Sequence, residues 1–353
     1  MKLVVSLSAL IFSITAFCMP QFVPAELSAS TDFLLDGAAL CATAKETLAY
    51  LNKGSSYDPS VIHEGKVFKL PLERVKATLT FICQHQNQMQ DLAFIKRHFD
   101  FFRWYPDIEQ SPGKTKALRD NLPKGKILMT KYYVHRAKAA TKPGSDYPYA
   151  LYALPKDEAL LTLEEAEARP ELTRFKYGKQ SILKGILANK QVPVLAYLNR
   201  EDLEAALLQG TIIADFVDSK RQQTFNVHRS NNRPYIKTQS PYQQERFWYF
   251  KPVEGIKGYG KDAEYKIKVA SQATFAADLE FFGLGKLLMV QYPSGKGKIM
   301  SQAGIFADTG GAFKDNYYQV DFLTGSYAGR HAFSQANRHL PDYVAAYFMV
   351  VKI

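Results

Sequence analysis

The stretch Gly304-Ile305-Phe306-Ala307-Asp308-Thr309-Gly310-Gly311-Ala312-Phe313-Lys314, followed by Gln319-Val320-Asp321-Phe322, decides how the chain folds. It sets two aspartates at the ends of apolar strands, around a glycine turn. A third, Asp278, lies in a similar setting, Ala276-Ala277-Asp278-Leu279-Glu280-Phe281-Phe282-Gly283. Ala277-Asp278 and Ala307-Asp308 thus echo each other: each follows an apolar strand and precedes a glycine turn. Short strands joined by glycine turns are the pattern of a small β-barrel. Strand alternation puts Tyr318, Val320 and Phe322 on one face, and Gln319, Asp321 and Leu323 on the other. Asp321 can then leave the core and face a groove. Carboxylates gathered in a groove suit acid/base work on sugars, and Gly310 and Gly311 would let a polymer approach the backbone. An aspartate before Thr-Gly-Gly can also serve only to close its own turn.

Upstream, the β character begins near Lys126. Ile127-Leu128-Met129-Thr130-Lys131-Tyr132-Tyr133-Val134 reads as a strand by its β-branched and aromatic content. The segment 146–155 is extended and bounded by Pro155. Between 156 and 250, charged helical stretches such as Arg200 to Leu208 alternate with strands such as Thr211 to Val217 and Phe225 to His228. Residues 19 to about 110 read as helical. Leu40, Ala44, Leu48 and Leu51 share one helical face, as do Leu72, Val75, Leu79 and Ile82 after Pro71. A third helix follows Asp91, with Leu92, Ile95, Phe99 and Phe102. The stretch 110–126, rich in Pro, Gly and Lys, reads as a loop.

The 353 residues suit about two domains. The start, Met1-Lys2-Leu3-Val4-Val5, continues as an apolar run to small residues and reads as a secretory signal peptide. The run is too short for a membrane span, and nothing later is long and apolar enough. Export to the periplasm is expected. A lipidated Cys18 would tether the protein to the outer membrane, but Phe17 stands where a lipoprotein signal wants a small residue. Cys41 and Cys83, in an oxidising compartment, can pair as a disulfide or remain buried thiols. The net charge of +11 favours anionic polymers in general. The basic residues form no dense run, which argues against specific nucleic-acid binding. There is no Walker A loop, no His-Glu-x-x-His, no Gly-x-Ser-x-Gly and no Cys-x-x-Cys, and the His residues lack metal-ligand spacing. No metal or organic cofactor is expected.

At this point the residues carry a resemblance. Phe275 through Asp278 to Gly285, Asp308-Thr309-Gly310-Gly311-Ala312, and Val320-Asp321-Phe322 are similar to the three-aspartate elements of the membrane-bound lytic murein transglycosylase A family. Met129 to Tyr133 resembles that family's Thr-Gly-Tyr-Tyr strand, and Leu208-Gln209-Gly210-Thr211 a degenerate Gln-Gly-Ser-Gly. Lys131 replaces a glycine of the pattern, Asp315 stands after Lys314 where the family has glycine, and the gap to Asp321 is slightly long.

The resemblance implies a mainly β protein with an N-terminal helical region: a double-psi β-barrel with a second β-rich domain inserted and a substrate groove between them. The expected divisions are 1–18 for the signal peptide, 19–145 for the helical region and first part of the barrel, 146–246 for the insert, and 247–353 for the catalytic part of the barrel. The implied reaction is non-hydrolytic cleavage of peptidoglycan glycan strands, leaving 1,6-anhydro ends. Asp321 takes the position of the family's acid/base, with Asp308 and Asp278 as its companions. Tyr132, Tyr133, Thr309, Gly310 and Gly311 are the expected substrate contacts. Two rivals remain at this stage, an inverting glycoside hydrolase with Asp321 as acid and Asp308 as base, and a wall-binding barrel without turnover.

Overall fold

The computed structural model describes residues 21–27, 31–107, 120–294, 297–311 and 313–352. The expected signal peptide, Cys18, Ala312 and most of the 110–126 loop lie outside the described residues. In chain order, β1 (Gln21–Ala25), β2 (Thr31–Phe33) and β3 (Phe99–Tyr105) accompany helices α1 (Gly37–Leu51), α2 (Leu72–Gln84) and α3 (Leu92–His98). Next come β4 (Ile127–Ala139), β5 (Tyr149–Tyr152), β6 (Val194–Leu198), β7 (Thr211–Phe216), β8 (Gln222–Ser230) and β9 (Trp248–Val253). The last part holds β10 (Ile256–Lys257), β11 (Lys268–Val269), β12 (Thr274–Ala276), β13 (Leu287–Pro293), β14 (Ile299–Asp308), β15 (Gln319–Tyr327) and β16 (Tyr343–Val351).

One large mixed sheet organises the molecule. Its order is β1-β3-β16-β13-β14-β12-β15-β4-β7-β8-β9, with β2 beside β14. Because β16 also pairs with β4, the strands β16-β13-β14-β12-β15-β4 curl into a ring. Phe275, Phe306 and Phe322, from three adjacent strands, are fully buried in its core. Met129, Val290 and Val320 join them, the β-branched and aromatic content that a pleated, two-sided burial selects. A second core, built from β4 to β9, gathers Ala137, Leu151, Leu198, Leu203, Ile212, Phe225 and Phe250. The strand β4 belongs to both. Its first part runs parallel to β15, from Leu128 opposite Gln319 to His135 opposite Tyr327. Its last part, His135 to Ala139, runs parallel to β7.

The N-terminal region is less helical than the sequence suggests. Helices α1 and α2 form on the expected faces, with Leu40, Ala44, Val75, Leu79 and Ile82 buried, and Pro71 is the N-cap of α2. The third segment, however, ends its helix at His98. Phe99 and Phe102 belong to β3, which pairs with β16 on one side and β1 on the other. The aromatic run Phe99-Asp100-Phe101-Phe102-Arg103-Trp104-Tyr105 satisfies a helical spacing at its start. Its β preference and two waiting strand partners win. A disulfide joins Cys41 of α1 to Cys83 of α2, with Cα atoms 4.6 Å apart. Among the described residues, no helix is long and apolar enough to cross a membrane.

Candidate active site

Ala276 ends β12 and lies opposite Asp308 on its parallel neighbour β14 and opposite Asp321 on its antiparallel neighbour β15. Asp321 in turn pairs with Thr130 of β4. Residues in register on adjacent strands project from the same face. The order Asp308, Ala276, Asp321, Thr130 therefore runs as a row across the sheet, with the register of β12 against β14 shifted between Phe275 and Ala276. The two aspartate backbones are two strand spacings apart, roughly 10 Å. The row of Phe306, Phe275 and Phe322 beside it points into the ring, with the Phe275 and Phe322 ring centroids 5.0 Å apart. The alternation expected for Phe322 and Asp321 is what the strand shows.

The environments of the two carboxylates differ. Asp308 is held from two sides: the Tyr132 hydroxyl donates to Oδ2 at 2.7 Å and the Thr309 amide to Oδ1 at 2.8 Å. Burial raises its pKa to about 6, while Tyr132, the Thr309 amide and the nearby Lys266 ammonium oppose the rise. Asp321 is pushed to about 7, first by burial and also by the negative charge of Asp308; Thr130, Lys131 and the Phe322 amide act the other way. Its Oδ1 is buried without a hydrogen-bond partner. The two carboxylates thus form a coupled pair, in which a proton sits more readily on Asp321. Tyr132, partly buried beside both, has its own pKa driven well above the ordinary tyrosine value, by desolvation and then by Asp308.

The other residues singled out in the sequence fall around this row. Asp278 is not in it. Its carboxylate caps the short helix Leu279–Phe282, accepting from the Phe281 amide at 3.0 Å, and also accepts from the Asp315 amide at 2.9 Å. Asp315 has a φ of +58°, the left-handed region where glycine is at ease and Asp is tolerated. The residue that departs from the family pattern therefore keeps the backbone shape that a glycine would supply. Thr309 ties the turn back by donating from its hydroxyl to Ala277 O at 2.7 Å. A Cβ added at Gly311 would meet nothing within 4 Å, and at Gly310 only the Phe313 ring at 3.9 Å, so this backbone is bare. Together with Asp278, Lys66 and Tyr317 these glycines line a cavity of about 210 Å³. Tyr133 stands apart. It stacks on Phe333 with centroids 4.6 Å apart and packs edge-on to Tyr327. A larger cavity, about 560 Å³, lies elsewhere, along β1 and β3.

Two residues near the row went unread in the sequence. Lys266 reaches from the segment between β10 and β11 and donates to Asn226 Oδ1 of β8 at 2.7 Å. Asn226 is buried and in turn donates to Gly210 O and Thr211 Oγ1. Gly210, with φ +79°, ends the helix Arg200–Gln209 at that point. Close by, Glu264 pairs with His228 of β8 and Lys251 of β9, both at 2.8 Å. Asp308 and the second core therefore meet across polar side chains.

No family model and no curated protein sequence matches the chain. Solved structures do. A membrane-bound lytic murein transglycosylase from Agrobacterium tumefaciens superposes with a TM-score of 0.59 at 14% identity, over 90% of this chain and 92% of that one. E. coli MltA with bound chitohexaose gives 0.59 at 16% identity, over 94% and 95%. MltA from Neisseria gonorrhoeae gives 0.57 at 15% identity, over 90% and 88%. The resemblance carried by the aspartate elements thus extends to the course of most of the backbone, and the chain has the fold of the MltA-type lytic murein transglycosylases.

Proposed function

We propose that this protein is an exported lytic transglycosylase that cleaves the glycan strands of peptidoglycan between N-acetylmuramic acid and N-acetylglucosamine. The observation that carries the reading is the row Asp308, Ala276, Asp321, in which burial raises the proton affinity of two neighbouring carboxyl groups, that of Asp321 the more. A hydrolase that activates water ordinarily needs two carboxyl groups in defined roles on either face of the sugar. Here one acid/base suffices. Asp321 donates its proton to the glycosidic oxygen as the bond to C1 of the muramyl sugar breaks. The resulting carboxylate takes the proton from that sugar's C6 hydroxyl as the oxygen closes on C1, which regenerates the acid and leaves a 1,6-anhydro end. The intramolecular nucleophile makes the attack effectively unimolecular.

In this reading Asp308 supplies the negative charge that holds the proton on Asp321. Asp278 positions the 309–315 turn, because its carboxylate already receives backbone amides. Tyr132 orients Asp308, and the turn of Thr309, Gly310 and Gly311, uncrowded at its two glycines, lies against the glycan. Tyr133, in its aromatic cluster, is an outlying sugar platform. The six-stranded ring is taken as the double-psi barrel, the core of β5 to β9 as the inserted domain near 146–246, and the polar junction at Asn226 and Lys266 as part of the groove. The disulfide between α1 and α2 suits a periplasmic location.

The test is digestion of murein sacculi by protein lacking residues 1–18, followed by mass spectrometry of the soluble products. Anhydromuropeptides released without added metal are expected. Reducing-end products would turn the assignment to hydrolysis, and sacculus binding without release to a wall-binding protein.

A further inference from the structure

The segment between β10 and β11 crosses the end of β14 like a strap. The Tyr259 amide donates to Ala307 O at 2.9 Å, the Ile267 amide to Tyr259 O at 2.7 Å, and the Tyr259 hydroxyl to Asp58 at 2.8 Å. This fixes the strap one residue from Asp308. Lys266, next to Ile267, is the residue it brings there. The lysine is only partly exposed, its ammonium is held by the Asn226 carboxamide, and the carboxylate that interacts with it most is Asp308. Asn226 cannot neutralise it. The other charges felt by Lys266 are like charges, Lys251 of β9 and Lys257 of β10.

We propose that Lys266 is a positioning residue which fixes where the proton of the aspartate pair resides, by keeping Asp308 ionised so that Asp321 is the protonated member. The inference rests on the acid/base reading above. Burial alone would favour the proton on either carboxyl. Tyr132 and the Thr309 amide favour ionised Asp308 most, and the Lys266 ammonium adds a full positive charge that acts in the same sense. Around Asp321 the corresponding cation is Lys131, whose ammonium is engaged by Asp342. Lys266 therefore breaks a near-symmetry between the two acids. The lowered proton affinity of the lysine itself, to about 8 through burial, still leaves it charged at neutral pH.

The experiment compares pH profiles of sacculus solubilisation for the wild type, Lys266→Gln, Lys266→Met and Lys266→Arg, with circular dichroism and sacculus pull-down to report folding and binding. Losing the cation lets Asp308 hold a proton to higher pH. The acid limb of kcat should then move toward neutral pH in the glutamine and methionine variants, with kcat near pH 6 down on the order of tenfold and KM little changed. Arginine should restore the wild-type profile. A folded glutamine or methionine variant with an unmoved profile overturns the inference, as does a rise in KM with kcat and profile intact, which would make Lys266 a plain glycan contact. Asp321→Asn, run alongside, separates the two claims. If that variant keeps turnover, the acid/base reading fails. If it is inactive while the Lys266 variants keep the wild-type profile, only the role of Lys266 fails.

Discussion

Replacing Asp321 by asparagine separates two consequences of its burial. The amide has nearly the same shape but cannot deliver and recover a proton. Sacculus solubilisation should fall by about 100- to 10,000-fold, the range of a general-acid contribution, and Asp308→Asn should lose less. Stability should move the other way. A carboxyl whose pKa is raised on folding binds protons more tightly in the native state. Its ionisation therefore weakens the fold as pH rises from the unfolded value near 3.8 through the folded value of about 7. Above pH 7 the asparagine variant should melt at a higher temperature than the wild type, by on the order of 1 to 3 kcal/mol of stability, and the gap should close below pH 4. A lower melting temperature at pH 8 would mean that the anion is better solvated than its unpartnered Oδ1 implies. Asp308 and Asp321 were legible in the sequence because together they match the elements of a family pattern; Asp308 alone, before Thr-Gly-Gly, also reads as an aspartate closing its own turn. Lys266 was not. It stands in Glu264-Tyr265-Lys266-Ile267-Lys268, which reads as a solvated strand, and its partner Asn226 is 40 positions away. Ala276 belongs to the Asp278 motif, yet its place between the strands of Asp308 and Asp321 depends on strand order.

At the level of elements, periodicity worked where one face of a helix is buried and failed where spacing fits both patterns. Helices α1 and α2 follow their apolar stripes, whereas Phe99 and Phe102 prolong a helical spacing into β3. What the sequence could not supply was pairing. The ring depends on β12 having Asp308 on one side and Asp321 on the other, one parallel and one antiparallel, and neither follows from the order along the chain. The charged stretches between 156 and 250 also concealed a buried ion pair. Arg174 and Glu158 are both fully buried and meet at 2.9 Å, a contact that resembles surface charge when read linearly. The pairing of Cys41 with Cys83 resolves the choice left open between a disulfide and free thiols. It closes a loop across a sequence separation of 42. Cys83→Ser should lower the unfolding free energy by about 2 to 4 kcal/mol on the chain-entropy account. Denaturant melts with and without reductant check this: reductant should reproduce the loss in the wild type and leave the serine variant unchanged.

Across the whole molecule, the two cores share a covalent member, because β4 runs unbroken from the ring into the second core with Tyr132 in its first half. Backbone amides between 130 and 137 are laddered on one side or both, so they should rank among the slowest to exchange with deuterium. Exchange there as fast as in the loops would show that the two cores part locally at this strand. The consequence is mechanical. Two bodies joined by a loop open like a door, on a pivot that costs little to turn. Two bodies joined by one laddered strand move like the ends of a leaf spring, by spreading a small twist over many residues, and the stiffness is set by the hydrogen bonds to β15 up to His135 and to β7 beyond it. If the protein cuts glycan as proposed, the spacing of the two cores should then change little from one cut to the next, with the Tyr132 hydroxyl riding on the spring itself.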